Sequence, residues 1–128
     1  MEQEQRFQKK LQQIGEEFSL GILHTEAVRN PGNVEALSEY ASLLTRSGRY
    51  QEGLEVDLRL AALRPTDPYV HYNLACSYAM LGDKEKAFEQ LEKSVNLGYD
   101  DREFLLTDTD LTSLREDPRF RRILESLG

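Results

Sequence analysis

Apolar positions recur with a helical period along most of the chain. Phe7, Leu11, Ile14, Phe18 and Ile22 are spaced 4, 3, 4 and 4 apart, forming one stripe flanked by Gln, Lys and Glu. The pattern predicts a proline-free helix over 2–29. Gly15 and Gly21 weaken it by about 1 kcal/mol each relative to Ala, so a small kink is expected near either. Pro31-Gly32-Asn33 breaks the chain, and Asn33 can cap the next helix. Four helices are predicted at 34–47, 50–64, 68–81 and 84–97. In the third, Leu74, Tyr78 and Leu81 share one inward face beside the small Ala75; in the fourth, Phe88, Leu91 and Val95 do so beside Ala87. Gly82 supplies a left-handed residue between them, Asp83 the next cap and Glu85 a favourable first-turn charge. Asp67-Pro68 and Asp117-Pro118 are start signals, a cap acceptor and then a proline whose missing N–H costs nothing. Asp101 is expected to cap a short helix over 102–106, Asp110 a single turn through 114, and the last helix to run to about 127. No useful stretch alternates like a strand, so the fold class is all α.

The two central helix pairs are copies. A shift of 34 places Gly48 on Gly82, Ala41 on Ala75, Leu44 on Tyr78, Leu63 on Leu97, Glu55 on Glu89 and Asp67 on Asp101. His71, Leu74, Ala75, Tyr78, Ala87, Leu91 and Tyr99 stand at signature positions of the second unit; Leu37, Tyr40, Ala41, Leu44, Gly53, Asp57 and Pro65 stand at those of the first. This spacing resembles the tetratricopeptide repeat, with departures at His71, Asp57, Ser94 and Tyr99. The resemblance implies an α-α superhelix of antiparallel hairpins in one domain, 1–128. Its parts would be an N-terminal capping helix (1–33), two repeats (34–67 and 68–101), and a degenerate third repeat with a C-terminal cap (102–128).

Both ends have expected roles. The second half of the first helix reads as the second helix of a degenerate preceding repeat, and its apolar stripe is expected to hide the open face of the first repeat. A different role for the stripe from Phe7 to Phe18 is to pair two chains. The ending, Asp108-Thr-Asp-Leu and then Leu114-Arg-Glu-Asp-Pro-Arg-Phe120, resembles a closing segment of tetratricopeptide arrays. It would lay Leu111, Leu114, Phe120, Ile123 and Leu124 over the last hairpin, as a solenoid end requires.

Composition narrows the function classes. The 128 residues include 39% hydrophobic and 30% charged side chains, enough for one domain with a core. The net charge of −7 argues against nucleic acid or an anionic membrane as partner. There is no apolar run of transmembrane length and no signal-peptide pattern at the start. Cys76 stands alone, so no internal disulfide forms; a cytoplasmic location is expected.

Catalytic patterns are lacking. His24 and His71 have no partner at metal-ligand spacing, and His71 reads as a packed, hydrogen-bonded histidine. Cys76 has no general base beside it on its helix. Asp100, Asp101, Asp108 and Asp110 lack the order of a calcium loop and are better read as helix caps. Arg115, Arg119, Arg121 and Arg122 are interleaved with acids, as on a solvated helix face. No enzymatic activity, metal or cofactor is expected.

What remains is surface. The tetratricopeptide resemblance implies a concave groove lined by the first helix of each repeat. Here that lining is Glu35, Ser38, Ser42 and Thr45, then Tyr69, Tyr72, Asn73, Cys76, Ala79 and Met80. Tyrosines, a methionine and an amide make an adaptable, moderately apolar surface suited to a protein segment. The competing expectation for Tyr69 and Tyr72 is that the C-terminal segment folds back over them. Some family members clamp a terminal carboxylate. Asn73 matches one clamp position, but Ser38, Ser42 and Leu106 at the others cannot hold an anion strongly. The reading is a non-catalytic scaffold or adaptor that binds a neutral or basic peptide or helix of a partner protein, as a monomer. The alternative is a homodimer through the N-terminal helix.

Overall fold

A computed structural model describes residues 2–128. It contains α1 (Glu2–Arg29), α2 (Val34–Arg46), α3 (Tyr50–Leu63), α4 (Pro68–Met80), α5 (Lys84–Asn96), α6 (Arg102–Thr107), a 3-10 turn (Thr109–Leu114) and α7 (Pro118–Ser126). No strand occurs among the described residues. Successive helices pack antiparallel, α2 on α3 and α4 on α5, and α4 also carries the 3-10 turn.

The helices begin and end where local chemistry dictates. Asn33, Asp67, Asp83, Asp101 and Asp117 each accept a hydrogen bond from a backbone N–H in the first turn of the adjoining helix. Pro68 and Pro118 occupy the first helical positions. Gly48 and Gly82 sit at equivalent points of the two hairpins with φ of 80° and 82°, a conformation that side-chain-bearing residues resist. One cap differs from expectation. Asp108, not Asp110, caps the 3-10 turn, by accepting from the Asp110 N–H at 3.0 Å.

Two apolar clusters form the core. One joins α1 to α4 through Leu20, Leu37, Leu44, Leu60 and Val70. The other joins α4 and α5 to the closing segment through Phe88, Leu91, Leu111, Leu114, Phe120 and Ile123. Ala41 and Ala75 are buried, and their size lets neighbouring helices approach. The four departures from the repeat pattern are all buried. Ser77 Oγ donates to the Asp57 carboxylate at 2.6 Å, linking α4 to α3. His71 Nε2 donates to the Pro65 carbonyl at 2.8 Å, and its Nδ1 lies 2.8 Å from the Gln90 side-chain amide. Ser94 Oγ donates to the Pro68 carbonyl at 2.7 Å. Tyr99 stacks on Tyr72 with ring centroids 4.4 Å apart.

Two apolar assignments are corrected. α1 is continuous through Gly15 and Gly21, but its strongest stripe does not cap the first repeat. Phe7, Ile14, Phe18 and Ile22 are each more than half exposed, and Leu11 is nearly so. The helix packs on α2 through Leu20, Leu23 and Ala27, which lie roughly 170° around the axis from the stripe at 100° per residue. Leu81 also faces outward rather than into the hairpin, because it is the C-cap residue and lies beyond the last full turn.

Candidate functional site

A cavity of about 210 Å³ lies between α2 and α4. Six of the predicted residues line it: Ser38, Ser42 and Thr45 from α2, and Tyr72, Asn73 and Cys76 from α4. Glu35, Tyr69 and Met80 lie outside it. Ser38, Ser42 and Asn73 are exposed. Over α2 the cavity passes into an open depression of about 600 Å³ that adds Ser19 and Leu23 of α1 and shares Ser38, Ser42 and Arg46.

The expected accessibility of two residues is corrected. Tyr72 and Cys76 are 3% and 7% exposed, because the chain after α5 returns across α4. Tyr99 covers one face of the Tyr72 ring, Phe104 stands 5.9 Å from its centroid, and Tyr69 meets Tyr99 edge-on. The expected alternative, cover by the C-terminal segment, therefore holds for Tyr72; Tyr69 stays 63% exposed.

That returning segment brings residues that the resemblance did not mark. Phe104, Asp108 and Asp110 line the cavity from this segment, and Arg46 lines it from α2. Asp108 organises the wall. Its Oδ2 accepts from the Tyr72 hydroxyl at 2.6 Å and lies 3.7 Å from the Cys76 sulfur; its Oδ1 caps the 3-10 turn. Arg115 donates to the Asp108 backbone carbonyl at 2.7 Å. The only sequence signal was the Asp-Thr-Asp order, which also fits plain helix capping.

Electrostatics reflect this crowding of acids. Burial, and then the charge of Asp108, push the Asp110 carboxyl above the ordinary range. Burial pushes the Asp57 carboxyl to about 6, against a smaller lowering by the Ser77 bond. Burial first, with Asp108 and Asp110 next, holds the Cys76 thiol well above its usual pKa, so it is protonated at neutral pH and a poor nucleophile. Ligand atoms of Cys76, Asp108 and Asp110 all lie within 4.8 Å of one another. Both Asp108 oxygens already serve protein donors, however, and the sulfur keeps its proton, so the cluster is a hydrogen-bonded wall.

A stack of helical hairpins presenting a groove defines a helical-repeat scaffold. Residues 68–101 match the family model of the tetratricopeptide repeat. The chain carries that repeat, and its stacked hairpins make it a tetratricopeptide-type solenoid. It is 30% identical over 84 residues to a chloroplastic protein of Arabidopsis thaliana; the match covers 63% of this chain and 25% of that protein. The chain thus spans about a quarter of the relative's length. Among solved structures, it is similar to "MamA MSR-1 C2" at 27% identity and a TM-score of 0.61, over 67% of this chain and 49% of the other. It also shares its fold with "MamA RS-1 ArsTM double mutant" at 18% identity and a TM-score of 0.65, over 91% and 70% of the two chains. None of the described helices is long and apolar enough to cross a membrane.

Proposed function

We propose that the chain is a non-catalytic adaptor, working in the cytoplasm, whose groove receives a short segment of a partner protein with a basic side chain seated at Asp110. The observation that carries this reading is the cavity where Ser38, Ser42 and Asn73 meet the acidic wall of Asp108 and Asp110. The serines and Asn73 offer hydrogen bonds to an extended backbone. Like-charged neighbours at Asp108 and Asp110 favour a cationic guest, since a lysine or arginine relieves their repulsion. Arg46, also in the lining, disfavours a second cation beside it.

Weak to moderate affinity is expected, because few contacts repay the ordering of a flexible segment. The test is fluorescence anisotropy with a labelled lysine-bearing peptide library and an acidic counterpart. Binding of basic peptides that is weakened about tenfold by Asn73→Ala or Asp110→Asn supports the reading. Amide shifts confined to α3 and α5 on titration would place the working surface on the convex side and overturn it.

A further inference from the structure

Among the described residues, half of the exposed large apolar side chains lie on α1. Phe7, Leu11, Ile14 and Phe18 are 62%, 49%, 64% and 71% exposed. They have a 4-3-4 spacing, the seam of a coiled coil. At roughly 100 Å² exposed per side chain they present about 400 Å², within the range of patches that are often functional on monomers. A two-fold pair, with flanking residues, buries roughly 1,000 Å², about where specific interfaces begin. The body of the protein leaves this face clear, because α1 packs on α2 through the opposite side.

We infer that this face binds a second copy of the chain, with the two α1 helices antiparallel. Charge along the helix selects the occupant and its direction. Lys10 precedes the seam residue Leu11, and Glu17 precedes Phe18; both are exposed. Antiparallel pairing sets Phe7 against the partner copy's equivalent of Phe18, and Leu11 against that of Ile14. In that register each Lys10 faces the other copy's Glu17, giving two symmetric ion pairs at the rim. Parallel pairing would instead face Lys10 with Gly15 and Glu17 with Ile22, forming no ion pair. The surface is separate from the groove, so failure of either reading leaves the other standing.

The experiment is sedimentation equilibrium of the full chain at several concentrations, with circular dichroism to verify folding. A concentration-dependent dimer is expected. Ile14→Glu should abolish it. Lys10→Glu and Glu17→Lys should each weaken self-association about tenfold at low salt, since each converts both ion pairs into repulsions. An equimolar mixture of these two variants should regain wild-type association, because each seam then faces opposite charges. A concentration-independent monomer at 100 µM or more would overturn the inference. So would a dimer insensitive to Ile14→Glu, or single charge variants that associate as well as wild type.

Discussion

The Tyr72 hydroxyl donates a 2.6 Å hydrogen bond to the carboxylate of Asp108, a residue 36 positions further along the chain. This contact fixes the returning segment against α4 and so shapes the groove wall. Tyr72→Phe keeps the ring that stacks on Tyr99 and removes only the donor. A bond to a charged acceptor contributes more than a neutral one, so the variant should lose about 1–3 kcal/mol in urea unfolding. An unchanged midpoint and slope would show that stacking alone holds the segment.

Asp57 gives the protein a pH dependence of known sign. Its carboxyl titrates at about 6 in the folded chain, against an ordinary 3.8. Between those values the native state holds the proton more tightly than the unfolded state does. This contribution therefore stabilises at low pH and is lost as pH rises from about 4 to about 6. Asp57→Asn keeps an acceptor for Ser77 and removes the buried charge. The variant should be about 1–2 kcal/mol more stable at pH 7, with its unfilled amide donors limiting the gain, and somewhat less stable than wild type near pH 4, where the ionisation gain is nearly gone and the donor cost remains. Parallel stability–pH curves for the two proteins would contradict this Asp57 effect.

Cys76 should react slowly in the native state. Its thiol is buried, and two acids oppose its ionisation. Labelling by a disulfide reagent at pH 8 is expected to be more than about tenfold slower in buffer than in 6 M urea. Equal rates would mean that the C-terminal segment opens freely.

Ala75 has no exposed surface and lies in the cluster with Phe88 and Leu91. Ala75→Leu adds three carbons where helices meet closely and should cost about 1–3 kcal/mol. A melting temperature equal to that of wild type would contradict this close packing.

The last helix closes the solenoid. Phe120 and Ile123 are buried in the α4–α5 cluster, and the Arg119 guanidinium lies 4.3 Å from the centre of the Phe88 ring. Removing 117–128 should uncover that cluster, lower the thermal midpoint and raise binding of a hydrophobic dye. A truncated chain of full stability would make α7 an appendage.

Helix positions were legible in the sequence because caps, prolines and left-handed glycines are local signals. Asp67-Pro68 and Gly82 act where they stand, whatever the rest of the chain does. Two things were not legible. The stripe from Phe7 to Phe18 is the most apolar face of α1, yet the contact with α2 uses Leu20, Leu23 and Ala27, a smaller face suited to close approach. Periodicity reports that a face exists, not which neighbour covers it. The wall of the groove depends on the path of the chain after Leu97, and no periodic pattern encodes that turn back. The departures at Asp57, His71 and Ser94 were visible as exceptions, but their partners are 6 to 26 positions away in sequence. Only the fold brings those partners together.

The two apolar clusters meet where α3 and α4 join, and that junction carries the buried Ser77–Asp57 bond. Such a boundary limits cooperativity. Each half has its own enclosed core, whereas the junction between them must hold a buried charge once Asp57 loses its proton. At neutral pH the amides of α4 and α5 should therefore exchange with solvent through rarer openings than those of α1 and α2, and denaturation should pass through a species in which only the C-terminal half is ordered. Acidification toward pH 4 should draw the two transitions together, so that one aspartate sets how many steps the molecule takes to come apart.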